Sequence, residues 1–237
     1  MKRFWSEASV VATASGHEIR LDGRPMRLPG GPVLTVGPPA LAHAIAAEWN
    51  AAGGAKGGEM SFADTPLTRL AGTAQERIAP DPWPTVDAIA RYGETDLLCY
   101  RAASPPELVA RQESGWQPWL DWATERYGAP LRVGTGIAPV RQHRGSIAAL
   151  RAAVGARGPY ELAALGIAVP ALGSLVLGLA LAEGGLDAAT AHALGALDEL
   201  FQAELWGEDE EAAARRAATA ADVALAERFL RLARGQA

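Results

Sequence analysis

Carboxylates dominate the chemistry available to this sequence near its C-terminus. Within LDELFQAELWGEDEE (residues 197–211) seven acids fall close together: Asp198, Glu199, Glu204, Glu208, Asp209, Glu210 and Glu211. Glu204 and Glu208 stand four apart with Glu211 three further on, so a continuous helix would gather three carboxylates on one face, as a hard-cation site requires. Such a site wants a second acidic cluster or histidines, and neither accompanies it. The same acids could form a solvated face, or could dock a basic partner, because pairing several carboxylates orients a complex and speeds its encounter. No Lys or Arg occurs between Arg157 and Arg215, so the run has no neutralising neighbour in sequence before Arg215. Composition leaves the solvated and docking readings both open.

Other chemistry has weaker signals. The loop at residues 53–58 (GGAKGG) combines glycines with Lys56, but a Walker-type phosphate cradle needs Lys followed by Ser or Thr at a helix start. Glu59 and a strand-like stretch at 60–63 follow instead, so the loop reads as a flexible turn. Ser174 lacks the flanking glycines of a nucleophile elbow and lies inside an apolar helical pattern, where it reads as a packed small residue. Gly134 and Gly136 lack the third glycine of a dinucleotide fingerprint. The single Cys99 excludes an internal disulfide and reads as buried and structural. His17, His43, His143 and His192 show no zinc-ligand spacing. No catalytic constellation emerges, and no metal or cofactor is expected. The runner-up to a binding role is a metal-assisted or cofactor-free enzyme using the acidic cluster.

The chain has 237 residues, 49% of them hydrophobic and 21% charged, with a net charge of -5. That composition is globular and long enough for one large or two small domains. An acidic balance argues against nucleic acid as the main ligand, since phosphate binding needs clustered Lys and Arg. No apolar segment follows the basic, aromatic start, so no secretory signal is expected. The longest apolar uncharged stretch, residues 162–182, carries Pro170 and three glycines. Its helical part at 171–182 is too short to cross a bilayer, so no stable membrane insertion is expected. Pro170 is expected in the first turn of a buried helix.

The elements that must position these residues divide the chain into two parts and give an α+β fold. Residues 1–80 read as a small β-rich domain with two helices, and residues 81–237 as a mainly α-helical domain. A strand at 9–13 precedes apolar alternation over 17–28, broken by Asp22-Gly23, a hairpin signal because tight turns demand positive φ. A short strand at 32–36 leads to a helix at 39–50 that ends with Trp49. A second helix starts at Pro66, capped by Asp64 or Thr65, and buries Leu67, Leu70, Ala71, Ala74 and Ile78. The Pro-rich segment 80–84 marks the boundary. Beyond it come a helix capped by Thr85 and a long helix at 105–127 stopped by Gly128 and carrying Trp116, Trp119 and Trp122. Residues 131–140 are irregular, and helices follow at 146–154, 160–165, 170–182, 187–205 and 208–234. In the acidic helix, Leu194, Leu197, Phe201 and Leu205 form the buried stripe.

Longer strings are more specific than these short motifs. Phe4-Trp5, LDGRP from Leu21, AHAIAAEW at 42–49, TPLTRLAGTAQERI at 65–78, RYGETDLLCYRA at 91–102 and RQESGWQPWLDWATERYGA at 111–129 occur in order, followed by LGSLVLGLALAEG at 172–184 and LDELFQAELWGEDEE. Together they resemble the ATP synthase assembly-chaperone family that binds the free α subunit of the catalytic head, over nearly the whole chain. The resemblance implies a β-rich N-terminal domain, a helical C-terminal domain and a non-enzymatic role. The chaperone would shield an interface of the unassembled α subunit until the β subunit replaces it. It further implies partner binding by Asp198 and Glu199, with Trp206 and Gly207 as the family's Trp-Gly pair. Phe201 and Glu204 of the same segment complete the expected contact set. Glu208 to Glu211 look like the acidic first turn of the last helix, near its positive dipole end. Trp49 matches the family's tryptophan after the first helix and is expected to act in folding, as are Asp22 and Gly23 in their turn. The start almost at Phe4-Trp5 points to the bacterial, cytoplasmic form, expected to be a monomer when free.

Overall fold

A computed structural model describes residues 1–235 and divides into two compact units. The first contains residues 1–82 and 158–164 with the C-terminal segment from Arg228, and the second contains residues 83–157 and 165–227. A small sheet in the N-terminal part and helices throughout the rest give the α+β architecture expected from the sequence.

In the first unit, strands β1 (Ala8–Thr13) and β2 (Gly16–Leu21) form an antiparallel hairpin in register from Ala8 opposite Leu21 to Thr13 opposite Gly16. Strands β3 (Arg24–Pro25) and β4 (Thr35–Val36) both pair with β2. Asp22 and Gly23 have φ of 46° and 78°, so both central residues of the β2–β3 turn are left-handed, which suits the right-handed twist of the strands. Asp22 does more than turn the chain. Its carboxylate accepts from the Ser6 and Glu7 amides at 3.0 Å, and those bonds hold its pKa below the usual aspartate value. Ile19, Leu21, Met26 and Leu28 are buried, as their alternation predicts.

Helix α1 (Pro39–Ala51) packs on β1 and β2 through Leu41, Ile45 and Trp49. Helix α2 (Pro66–Thr73) runs on into a π turn at Ala74–Ile78. Neither expected cap serves α2. Asp64 instead closes a capping box with Ser61 in a 3-10 turn at Phe62–Asp64, which replaces the strand expected at 60–63, and the Thr65 side chain makes no cap bond. The orphan amides of α2 are met from a distance: Leu67 and Thr68 N–H donate to the two Glu48 oxygens at 2.7 and 3.1 Å. The Thr68 hydroxyl donates to Glu48 at 2.9 Å and accepts from the Trp49 indole N–H at 2.7 Å. Burial pushes the Glu48 carboxyl up, and the bonds from Leu67 and Thr68 oppose it.

The Gly-Lys loop is ordered around Arg3. This guanidinium, 5% exposed, donates to the carbonyls of Trp5, Ser6, Asn50, Ala52 and Gly54, while Arg3 N–H and C=O bond Gly58 and Gly57. A Cβ at Gly58 would lie 1.8 Å from the Gly53 carbonyl oxygen, so only glycine permits this approach. A loop that offers carbonyl oxygens to a buried cation is the electrostatic opposite of a phosphate cradle.

In the second unit, helix α3 (Trp83–Ala90) begins two residues before its expected cap, which leaves Thr85 inside the first turn. Helix α4 (Pro106–Tyr127) ends at Gly128 with φ of 64°, as expected. Trp116 is fully buried, whereas Trp119 and Trp122 are partly exposed. The stretch expected to be irregular contains β6 (Gly134–Thr135), parallel to β5 (Tyr100–Arg101). Two-residue strands carry too little periodicity to read from sequence. Helix α5 (Arg144–Gly155) follows.

The apolar stretch is partitioned differently from expectation. Helix α6 (Pro159–Leu172) carries Pro170 near its C-terminal end, not in a first turn, and the break falls at Gly173 (φ 62°) and Ser174. Ser174 caps α7 (Leu175–Glu183) by accepting from Leu177 N–H at 3.1 Å. Buried Asp96 accepts from Val176 and Leu98 N–H at 3.0 and 3.1 Å, so two side chains serve one helix start. Helices α8 (Ala188–Gly195) and α9 (Leu197–Trp206) divide the stretch where one helix is expected over 187–205, and α10 (Glu210–Ala233) completes the chain as the expected last helix. Helices α6 and α10 each contribute residues to both units. Among the described residues, no helix is long and apolar enough to cross a membrane.

At the end of α7, Glu183 accepts from Arg157 at 2.6 Å, Arg126 at 2.8 Å and the Tyr127 hydroxyl at 2.8 Å. Burial alone would raise its pKa, but these donors outweigh burial and hold it at about 2. A depressed carboxylate stabilises the fold above its ordinary pKa of 4.5 and loses that contribution as pH falls toward 2. Glu183→Gln is therefore expected to be less stable than the parent at pH 7 and to converge with it in acid. Urea unfolding at intervals between pH 7 and pH 2 checks this, and a constant gap across the range would refute it.

Candidate functional site

The helix that carries the acids is short because its N-terminus is forced to break. Gly195 lies so close to Leu172 that a Cβ there would sit 3.2 to 3.4 Å from its Cδ2, carbonyl oxygen and Cα. The Leu194 carbonyl, which a continuous helix would spend on the amide four residues later, instead accepts from the Trp116 indole at 2.9 Å. The chain then restarts at Leu197 with Asp198 and Glu199 in the first turn, where carboxylates suit the helix dipole. Gly207, at φ of 89°, terminates α9, and Asp209 caps α10 by accepting from Ala212 N–H at 2.8 Å.

This geometry sorts the expected contact residues. Phe201 is 5% exposed and packs inward, with the Arg111 guanidinium 5.0 Å from its ring centre. Asp198 faces α4 and accepts from Gln112 Nε2 at 2.7 Å. Glu199 points outward and lies 3.7 Å from Arg216, which also pairs with Glu208. Glu204 receives both terminal nitrogens of Arg111, at 2.9 and 2.8 Å, a bidentate pair that lowers its pKa. Leu205, expected in the buried stripe, is 56% exposed, and the neighbouring Trp206 is 78% exposed. Phe201 already satisfies the packing of this last turn, so Leu205 and Trp206 project into solvent beside Gly207.

The site residues that sequence reasoning missed are Arg111, Gln112 and Arg216. Gln112 is 1% exposed and joins two elements: its carbonyl accepts from Ala102 N–H at 2.7 Å while its amide donates to Asp198. Arg216, 8% exposed, draws Glu199 and Glu208 together across the Gly207 turn. Arg111 stands 93 positions before Glu204, too far for any local pattern to connect them. Arg216 was within reach, because it follows Arg215, which stands four residues after Glu211 in the order that favours a helical ion pair and binds it at 2.9 Å.

A metal triad at Glu204, Glu208 and Glu211 does not form. Gly207 breaks the helix between the first two, and the three carboxylates hold Arg111, Arg216 and Arg215 respectively. Among the described residues no group of three or more His, Cys, Asp or Glu side chains is placed to hold a metal ion. The other groups that could do chemistry are spent structurally. Burial, and then the Asp96 charge, push the Cys99 thiol up to about 12, which leaves it protonated and unreactive. Asp96 is raised to about 6 by burial, against the bonds it accepts as a helix cap. What the segment offers is a surface: an apolar Leu205-Trp206 knob on a segment that also bears Glu199, Glu204 and Glu208, each carboxylate braced by an arginine from within the same unit.

A family model described as ATP12 chaperone protein matches residues 2–124. Among solved structures, Atp12 from Paracoccus denitrificans is 43% identical, with a TM-score of 0.91 over 98% of each chain. A lysine-for-aspartate mutant of the P. denitrificans protein is likewise 43% identical, with a TM-score of 0.91 over 98% of this chain and 97% of the other. A candidate chaperone from Agrobacterium tumefaciens is 40% identical, with a TM-score of 0.89 over 97% of this chain and 85% of the other.

Proposed function

The chain belongs to the ATP12 chaperone protein family, and from that premise we propose that it holds the unassembled α subunit of the ATP synthase catalytic head, in the cytoplasm, before αβ assembly. The observation that carries the reading is the exposed Leu205-Trp206 knob at the end of the acidic helix. A tryptophan that is 78% exposed gains nothing from folding, but it gains much from a partner's pocket, where aromatic anchors dominate binding energy. The carboxylates of the same segment supply orientation and on-rate toward a basic partner surface. An obligate subunit interface left alone exposes apolar area, which a transient partner must cover without the permanence of a final assembly contact.

The reading is non-enzymatic. The acids that an enzyme would recruit are braced by arginines, and the buried carboxylate Asp96 caps a helix. Purified chaperone immobilised on resin is expected to retain isolated α subunit and to let isolated β subunit pass. Passage of both subunits would refute the proposal.

A further inference from the structure

The acidic segment has a basic counterpart earlier in the chain. From Glu125 to Glu161 there is no acid, but Arg126, Arg132, Arg141, Arg144, Arg151 and Arg157 all occur. Three of the six neutralise carboxylates: Arg126 and Arg157 bind Glu183, and Arg151 binds Asp87 at 2.6 Å. Arg132, Arg141 and Arg144 have no carboxylate within ion-pair distance among the described residues, and Arg141 and Arg144 are exposed. In a protein of net charge -5, these three arginines gather positive charge on one short stretch, the loop before α5 and the first residue of that helix.

The loop that bears Arg132 and Arg141 is built, not slack. Arg132 N–H donates to Gln142 Oε1 at 2.8 Å, and Gln142 Nε2 returns a bond to the Arg132 carbonyl at 2.9 Å. Gly136 N–H reaches the Arg101 carbonyl at 2.9 Å and secures the β5–β6 pairing. These bonds raise Ile137 at the tip, where it is 100% exposed, with Val133 44% exposed on the same loop. Beside the loop lies a cleft of about 500 Å³ with apolar walls from Tyr100, Pro139, Val140 and Ile147. Arg141, Arg144 and Arg151 line its rim, and Glu94 is the one carboxylate in its lining. A stapled loop that presents an apolar tip and a cationic rim is complementary in both charge and hydrophobicity to an acidic segment with interleaved apolar side chains.

We propose that this face, residues 132–151, takes an acidic, apolar-bearing segment of the client subunit, with an apolar side chain entering the cleft between Tyr100 and Ile147. The inference rests on the chaperone reading above and deepens it. The protein then grips a client that carries both signs of charge, and a chain with basic surface alone satisfies only the α9 knob.

The test uses the full chain and two probes. The first is a short fluorescein-labelled peptide of Leu and Phe interleaved with Glu, and the second is isolated α subunit. Wild-type protein is expected to bind the peptide in a salt-sensitive manner, and Arg141→Glu/Arg144→Glu to weaken both peptide and α-subunit binding by about tenfold. Both positions are exposed and Arg144 opens α5, where an acid suits the dipole, so the fold should persist, with circular dichroism as the check. Ile137→Ser should weaken binding without changing any charge. Retention of the α subunit by wild type and double variant alike would overturn this inference and leave the proposed function standing. Failure of the wild type to retain it would overturn the proposed function and the client assignment together. Preference for phosphatidylserine vesicles or RNA over the peptide would also overturn the inference.

Discussion

Replacing Trp206 with Ser is expected to weaken retention of the α subunit by roughly thirtyfold, equivalent to about 2 kcal/mol, while leaving the melting temperature unchanged. The two halves of that expectation have separate causes. Trp206 is 78% exposed at the last position of α9, so its removal takes almost nothing from the folded core. Buried in a partner, a tryptophan contributes the largest apolar area of any side chain, and truncation of such anchors typically exceeds the effect of neighbouring contacts. Leu205→Ser should behave the same way with a smaller loss. Phe201→Ala should do the reverse, lowering stability because Phe201 is 5% exposed. Calorimetric titration of each variant with isolated α subunit, alongside thermal melts, checks the contrast. A Trp206→Ser protein that binds as tightly as the parent would remove this knob from the docking surface.

Charge reversal on the same helix is a less clean experiment than the sequence suggests. Asp198→Lys would destroy a bond to Gln112, a side chain 1% exposed, and leave a buried amide short of a partner. Glu199→Lys would place a cation beside the nearly buried Arg216. Either variant could lose binding through local repacking. Glu199→Gln and Trp206→Ser disturb the framework least and so report on docking alone.

What the sequence disclosed about this region depended on the range of the interaction. The Asp22-Gly23 turn, the Gly128 stop and the stripe that buries Phe201 are local, since each is written within a few residues by φ requirements or helical period. The α8–α9 break was invisible because its causes are remote. Leu172 crowds Gly195, and Trp116 claims the Leu194 carbonyl. The same holds for the helix starts. Thr65 and Asp64 had the right residue types next to α2, yet the cap comes from Glu48, and α7 is capped partly by Asp96, 80 positions before Val176. The acids of α9 were legible as a cluster, but their arginine braces were not, because Arg111 lies on another helix. The exposure of Leu205 is hidden from the sequence for a related reason: periodicity assigns it to the buried face, but one bulky residue, Phe201, already fills the available space.

Trp49→Ala is expected to cost about 3 to 5 kcal/mol of folding stability in the first unit, enough to bring a marginally stable fold near its threshold. Trp49 is 6% exposed, and its ring lies 4.8 Å from that of Trp5, whose indole in turn donates to the Trp49 carbonyl at 3.1 Å. The Trp49 N–H donates to Thr68 at 2.7 Å, and Thr68 belongs to the Glu48 cap of α2. Truncation therefore removes apolar contact, leaves a cavity next to Trp5, and takes a donor from the hydroxyl that helps fix the cap. Trp49→Phe separates these contributions, because it keeps most of the ring and loses only the bond to Thr68. It should cost roughly 1 to 2 kcal/mol. Urea denaturation of both variants measures the difference, and equal stabilities would mean that the hydrogen bond, not the packing, carries the role. Neither variant alters the acidic helix, so the folded fraction of each should still retain the α subunit. Loss of binding at full folding would instead make Trp49 part of the partner contact.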